Sequence, residues 1–169
     1  MKSLLMGLVF TAFLGGCATR PNVNIAAPFD ETSTSAQLRP GSNSIKGSAL
    51  FRQQGGGVVT CAGFPIHLFP ATSYSRERIA AIYGSAEGGL SPVYAPQPIF
   101  NPDPAAYKTL IKETRCDAQG FFKFENLADG DYYIQSGIAW RVGYAVQGGT
   151  ITSPVTVKNS EIKDIVLAR

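Results

Sequence analysis

One histidine, His67, and three cysteines are all that 169 residues contain, and charged side chains make up only 16% of the chain. A typical soluble domain carries about a quarter. A lone histidine cannot build a histidine-rich metal site or a symmetric acid–base pair. There is no CxxC, no glycine-rich phosphate loop and no paired-carboxylate signature. Lysine and arginine total 15 and are scattered without a basic run, so a net charge of +3 leaves no electrostatic footprint for nucleic acid. No apolar stretch approaches the ~20 residues of a bilayer-spanning helix. The length leaves room for one ordinary domain and excludes a multidomain enzyme. Glycine (18), proline (11) and aromatic residues (11%) are plentiful, a composition that suits many turns around an antiparallel β core.

The N-terminus reads as an address. Lys2 gives a positive start, and Leu4 to Leu14 is an eleven-residue apolar run, the length of a signal-peptide core. Leu14-Gly15-Gly16-Cys17 follows and resembles a bacterial lipobox, in which the cysteine is lipidated and becomes the new N-terminus. That resemblance implies a signal peptide over residues 1–16 and an acyl anchor on Cys17, with more than one chain needed for a stable hold. The alternative is an ordinary secretory peptide with a chance cysteine at its end. Ala18, rather than aspartate, follows Cys17. In a Gram-negative cell this pattern implies an outer-membrane lipoprotein facing the periplasm. Residues 18–43 are expected to be a flexible tether, since 17 of the 26 are Ala, Ser, Thr, Asn, Pro or Gly and the apolar ones show no period. As a coil it would span roughly 30 Å, although Val23-Asn24-Ile25 could add to a sheet edge.

From Ser44 the apolar period becomes two. Ile45, Gly47, Ala49 and Phe51 alternate with polar neighbours, then Gln53 to Gly57 breaks the strand. Phe64, Ile66 and Leu68 form a second alternation, which Pro65 and Pro70 confine to a sheet edge or a short length. Thr109 to Cys116 reads as a third strand and Phe121 to Glu125 as a fourth, with Phe122 and Phe124 on its inner face. Tyr132 to Ala139, Tyr144 to Val146, Ile151 to Val157 and Glu161 to Leu167 complete seven or eight short strands, the pattern of an all-β antiparallel sandwich. Between the second and third strands, residues 71–108 form an insertion. Thr72 and Ser73 are N-cap candidates for a short helix over Tyr74 to Tyr83, which Gly84 stops. Five prolines then fall within thirteen residues (92, 96, 98, 102 and 104), with Tyr94, Phe100 and Tyr107 among or beside them. This stretch is either a ligand- or partner-facing flap or a stiff strap pinned to a sheet by its aromatics.

Thr114-x-x-Asp117-x-x-Gly120-x-Phe122-x-Phe124-x-x-Leu127-x-x-Gly130-x-Tyr132-x-Ile134 resembles the signature of carboxypeptidase regulatory-like domains, the transthyretin (prealbumin)-like β-sandwiches. Ile45-x-Gly47-x-Ala49 and Ala62-Gly63-x-Pro65-Ile66-x-Leu68 are similar to the first strands of that family. Val155-x-Val157 and Ile162-x-x-Ile165-x-Leu167 suit its closing ones. The resemblance covers residues 44–169 apart from the insertion, and it implies a scaffolding or binding domain with no catalytic residues.

The chemistry on offer is thin. His67 sits in an alternating strand with no nucleophile motif nearby, so a hydrolase is the least supported reading. Asp129-Gly130-Asp131 has the residues of a tight turn and lacks a continuing ligand loop, so neither a metal nor a cofactor is expected. Trp140, Arg141 and Tyr144 could form an aromatic platform for cell-wall carbohydrate, or could simply pack at a strand end. The candidate ligand or partner contacts are therefore Tyr94, Phe100, Trp140 and Tyr144. If lipid occupies Cys17, two thiols remain in an oxidising compartment, and Cys61 and Cys116 are expected to pair. Two separately buried thiols are the alternative, because spacing alone does not bring their Cβ atoms within range. The expectation is a membrane-anchored, non-enzymatic envelope protein with a structural or protein-binding role. The alternative is a carbohydrate- or peptidoglycan-binding module.

Overall fold

A computed structural model describes residues 19–169. The signal-peptide expectation and the lipid site at Cys17 lie outside the described residues. In chain order the elements are β1 (Asn22–Asn24), α1 (Glu31–Gln37), β2 (Asn43–Arg52), β3 (Val58–Thr60), β4 (Pro65–Pro70), α2 (Ser73–Tyr83), β5 (Gly89–Pro92), β6 (Ile99–Asn101), α3 (Ala105–Thr109), β7 (Lys112–Arg115), β8 (Phe121–Leu127), β9 (Gly130–Val142), β10 (Ala145–Val157) and β11 (Ile162–Ala168). No helix among them is long and apolar enough to cross a membrane.

Two sheets face each other as the expected all-β sandwich. One has the order β5-β10-β9-β4-β7 and is antiparallel throughout; in the other, β2 is flanked on one side by β11 and on the other by β8 and β3. The number of strands exceeds seven or eight, and β11 runs parallel to β2 rather than antiparallel. The core lies between the sheets. Ile45, Ala49 and Phe51 of β2, Phe122, Phe124 and Leu127 of β8, and Leu167 of β11 meet Ile66, Leu68, Tyr132, Ile134, Ile138, Ile151 and Val155 of the opposing sheet. The period-two alternation puts these side chains inside because successive residues of a strand point to opposite faces. Pro65 and Pro70 stand at the two ends of β4, which is therefore short and still pairs with β9 and β7 on either side.

The insertion builds a third layer on the outer face of the five-stranded sheet. Helix α2 is capped as expected: the Thr72 side chain accepts from Ser75 N–H, and Gly84 ends the helix at φ 77°. Only glycine takes that left-handed conformation without a steric cost. Ile79 of α2 packs on Phe69 and Tyr133, whose side chains leave the sheet on the side away from the main core. Beyond α2, β1 pairs in parallel with β6, register Val23 to Phe100. Ile25, Tyr74 and Phe100 close a second apolar cluster with Phe29, Ile82 and Tyr107. The proline-rich stretch is thus a strap for much of its length.

Arg78 holds this layer together. Its guanidinium carbon lies 3.8 Å from the centre of the Phe100 ring, 4.6 Å from Tyr107 and 5.6 Å from Tyr74, while Nη1 donates to Asp103 at 2.6 Å. Such a stack neutralises and desolvates a cation together, which suits arginine far better than lysine. Partial desolvation pushes the Asp103 carboxyl up, but hydrogen bonds from Lys108 and Arg78 outweigh it and hold the group below its ordinary range. Burial pushes the Tyr107 hydroxyl well above its ordinary value.

The flexible tether is not what forms over residues 19–43. Glu77 of α2 accepts from the backbone N–H of Ala26 at 2.8 Å and of Ala27 at 3.1 Å. Asp30 caps α1 by accepting from Ser33 N–H at 3.0 Å, and the Tyr132 hydroxyl reaches the Gln37 carbonyl at 3.0 Å. Val23, Ile25 and Phe29 have no helical or strand period because each fills a place in a cluster supplied by the insertion. Local composition omits that partner surface.

Candidate functional site

A concavity lies where four chain segments converge at one end of the sandwich. Strand β2 ends there at Arg52 and continues into the Gln53–Gly57 turn, which Gln53 N–H closes on the Gly57 carbonyl at 2.8 Å. The chain's last residue, Arg169, follows β11 beside it, its carbonyl accepting from Arg52 N–H at 2.7 Å. Strands β9 and β10 form a long hairpin whose two-residue loop is Gly143-Tyr144. Gly143 has φ 58°, the positive angle such loops need in order to match strand twist. Strand β5 leads into Val93 and Tyr94 along the outer edge of β10.

Together these segments line a cavity of about 830 Å³. Trp140, Phe51, Leu90, Pro92 and Tyr94 supply its apolar surface, and Gln53, Gln54, Gln147, Arg52 and Arg169 supply its polar groups. Trp140 is half-buried and its ring stands 6.1 Å from that of buried Phe51, tilted by 51°. The Trp140 indole N–H is shielded from solvent and finds no acceptor among the described residues. Tyr94 is 84% exposed. Among the described residues, the side chains of Arg52, Gln53, Gln54 and Gln147 make neither an ion pair nor a hydrogen bond to protein. An apolar, aromatic surface with a few convergent, uncommitted polar groups is the usual make-up of a small-molecule site.

Of the four candidate contacts, the structure brings Trp140 and Tyr94 to this cavity. Phe100 is not available to a ligand, because it is buried in the outer cluster under Arg78. Tyr144 is fully exposed at the hairpin tip and does not line the cavity. Arg52, Gln53, Gln54, Gln147 and Arg169 were missed as site residues. The two adjacent glutamines were the available signal, since amide side chains in a glycine-rich turn have no structural need to be there.

The remaining chemistry has structural employment. His67 is paired across strands with Glu113, Nε2 to Oε2 at 3.3 Å, and no hydroxyl or thiol lies among its hydrogen-bond partners. Asp129 accepts from Asn43 Nδ2 at 2.8 Å and from Asn159 N–H at 3.2 Å, which locks the turn before β9. Asp131 accepts from the Thr156 hydroxyl at 2.6 Å and from Arg76 at 3.2 Å. No group of three or more His, Cys, Asp or Glu that could hold a metal ion occurs among the described residues. Cys61 and Cys116 form the expected disulfide, with Cα atoms 5.7 Å apart.

No protein-family model and no curated protein matches the chain. Among solved structures, it is similar to a crystal structure at 2.61 Å of a protein from Pseudomonas aeruginosa described as a "putative carbohydrate binding protein". The two share 25% sequence identity at a TM-score of 0.70, over 85% of this chain and 99% of the other.

Proposed function

We propose that this chain is a non-catalytic saccharide-binding lipoprotein of the bacterial envelope, built on a sandwich of the carboxypeptidase regulatory-like kind, with its ligand in the cavity between Trp140 and Tyr94. One observation carries the reading: aromatic rings face a cavity whose glutamine amides and Arg52 guanidinium are bound to nothing else among the described residues. A sugar has two surfaces to satisfy, an apolar C–H face that stacks on an aromatic ring and hydroxyls that need planar donors and acceptors. Trp140 with Tyr94 suits the first, and Gln53, Gln54 and Gln147 suit the second. The likeness to a solved structure described as carbohydrate binding supports the same reading.

Trp140→Ala and Tyr94→Ala should each weaken binding to soluble cell-wall polysaccharide at least about tenfold, the loss expected when one stacking aromatic is removed from a small site. Titration calorimetry measures it. Tyr94 is so exposed that its replacement leaves the fold intact, so unchanged affinity in Tyr94→Ala and Trp140→Ala alike would overturn the saccharide site. A second reading, a protein-binding module, would draw on the projecting hairpin, where Val142, Tyr144 and Val146 are all exposed. Tyr144→Ala would then lose a protein partner while keeping saccharide affinity.

The envelope part of the proposal rests on the Leu14-Gly15-Gly16-Cys17 pattern. Strand β1 begins at Asn22, so four residues separate an acylated Cys17 from the folded domain, a leash of five Cα steps or about 17 Å at full stretch. The domain would ride close to the membrane surface. In detergent phase separation, the wild-type protein should enter the detergent phase and Cys17→Ser the aqueous one. Identical aqueous partition of both would overturn the anchor.

A further inference from the structure

We infer that the saccharide taken up by the cavity is acidic, with a sugar carboxylate held by the Arg52 guanidinium. The inference rests on the saccharide reading above and adds the charge of the ligand to it. Its basis is the charge of the cavity, where the α-carboxylate of Arg169 is already engaged by the Arg52 N–H and two guanidinium groups remain. Arg52 and Arg169 line it, and no aspartate or glutamate side chain does.

Elsewhere among the described residues three arginines have found acids, while Arg20, Arg39 and Arg141 pair with none. Arg76 pairs with Asp131, Arg78 with Asp103 and Arg115 with Glu113. Among the described residues the Arg52 guanidinium has no such partner and no hydrogen bond at all. The Arg169 guanidinium donates only to the neighbouring Ala168 carbonyl at 3.0 Å. The Arg52 backbone is fixed at both flanks: its N–H donates to the Arg169 carbonyl, and it stands opposite Val58 in the β2–β3 pairing. The buried ring of Phe51 precedes it. The guanidinium therefore projects from a rigid strand end at the cavity that Trp140 and Tyr94 also line, with its donors free.

A neutral sugar would leave that fork unused. A uronate would stack its ring on Trp140 or Tyr94 and turn its carboxylate to the guanidinium, which matches a carboxylate with two parallel N–H bonds. The neighbouring glutamine amides would then take hydroxyls. An exposed guanidinium is screened by salt, so this part of the affinity should fall as ionic strength rises.

The test is titration calorimetry of the intact domain with an oligogalacturonate and with its methyl ester, in which one methyl group replaces each carboxylate charge. The free acid should bind at least about tenfold more tightly than the ester, and the difference should shrink between low and high salt. Arg52→Gln, which keeps the strand backbone and a planar amide, should collapse the ratio between acid and ester affinities to about one. Trp140→Ala should weaken both. Equal affinity for acid and ester would overturn the acidic-ligand inference and leave the saccharide site standing. Failure of both probes and of neutral cell-wall oligosaccharides would overturn the saccharide reading, and the inference with it.

Discussion

Phe124→Ala should lower the free energy of unfolding by roughly 3–5 kcal/mol, and Phe121→Ala by less than about 1 kcal/mol. The two residues are three apart on β8 and differ in parity, so they point to opposite faces of one strand. Phe124 is 5% exposed, lies opposite Ile45 in the β2–β8 pairing and meets Phe122 edge to face at 6.2 Å. Removing its ring leaves a cavity beside Ile45 and Phe122 in the core between the two sheets. Phe121 is 57% exposed on the outer face of the sandwich, where truncation leaves no hole. Urea denaturation midpoints of the two variants measure the difference directly. Coincident midpoints would mean that β8 is held in the wrong register.

The register of β8 was legible because strand alternation is a local signal, and the same holds for α2. Thr72 and Gly84 bracket that helix through contacts spanning a few residues each. Signals that need a distant partner were legible only in part. Val23-Asn24-Ile25 reads as a piece that could add to a sheet edge, and Asn22–Asn24 does pair with β6, but which edge it joins and where Phe29 packs emerge only when Phe100 and Tyr107 are brought against them. Residues 144–146 and 151–157 read as two strands because Gly148 and Gly149 separate them. The ladder with β9 nevertheless runs through both glycines, and β10 is one strand of 13 residues. Thr109 to Cys116 shortens to β7, since Ala105 to Thr109 turns as α3 and brings Tyr107 onto Phe69 and Tyr74.

The cavity divides the same way. Trp140 stood out with Arg141 and Tyr144 as an aromatic platform at the end of the strand expected over Tyr132 to Ala139. Tyr94 stood out among prolines. Phe100 has the same sequence surroundings as Tyr94, and only the docking of β6 on β1 buries the one and leaves the other free. The arginine and glutamine groups come from positions as far apart as 52 and 169. They meet because β11 lies parallel to β2, so both strands end at the same edge of the sandwich. Parallel neighbours join distant parts of a chain, and no short-range pattern announces them.

The disulfide should matter most to the insertion. Replacing Cys61 and Cys116 together by alanine should cost roughly 4 kcal/mol, the loop-closure entropy that a bridge over 55 residues removes from the unfolded chain. That is a large share of the 5–15 kcal/mol that ordinarily holds a domain together. The bridge joins the chain just past β3 of one sheet to the chain just past β7 of the other, so it ties the two sheets at one end of the core. Backbone bonds reinforce the same corner: Gly63 N–H donates to the Cys116 carbonyl and Cys116 N–H to the Phe64 carbonyl, each at 3.1 Å. Everything between the two cysteines, including β4, α2 and the strap that carries Tyr94, is a closed loop while the bond is intact. In the double variant the unfolded chain gains freedom, whereas the folded corner keeps its hydrogen bonds, so the loss should appear in denaturation midpoints rather than in native secondary structure. Reduction of the wild-type protein should move its midpoint in the same direction, and the double variant should not respond to reductant. A thiol count in the Cys17→Ser background, on unfolded and unreduced protein, checks the premise: zero reactive thiols are expected, and two per chain would overturn the bridge together with the stability it is expected to confer.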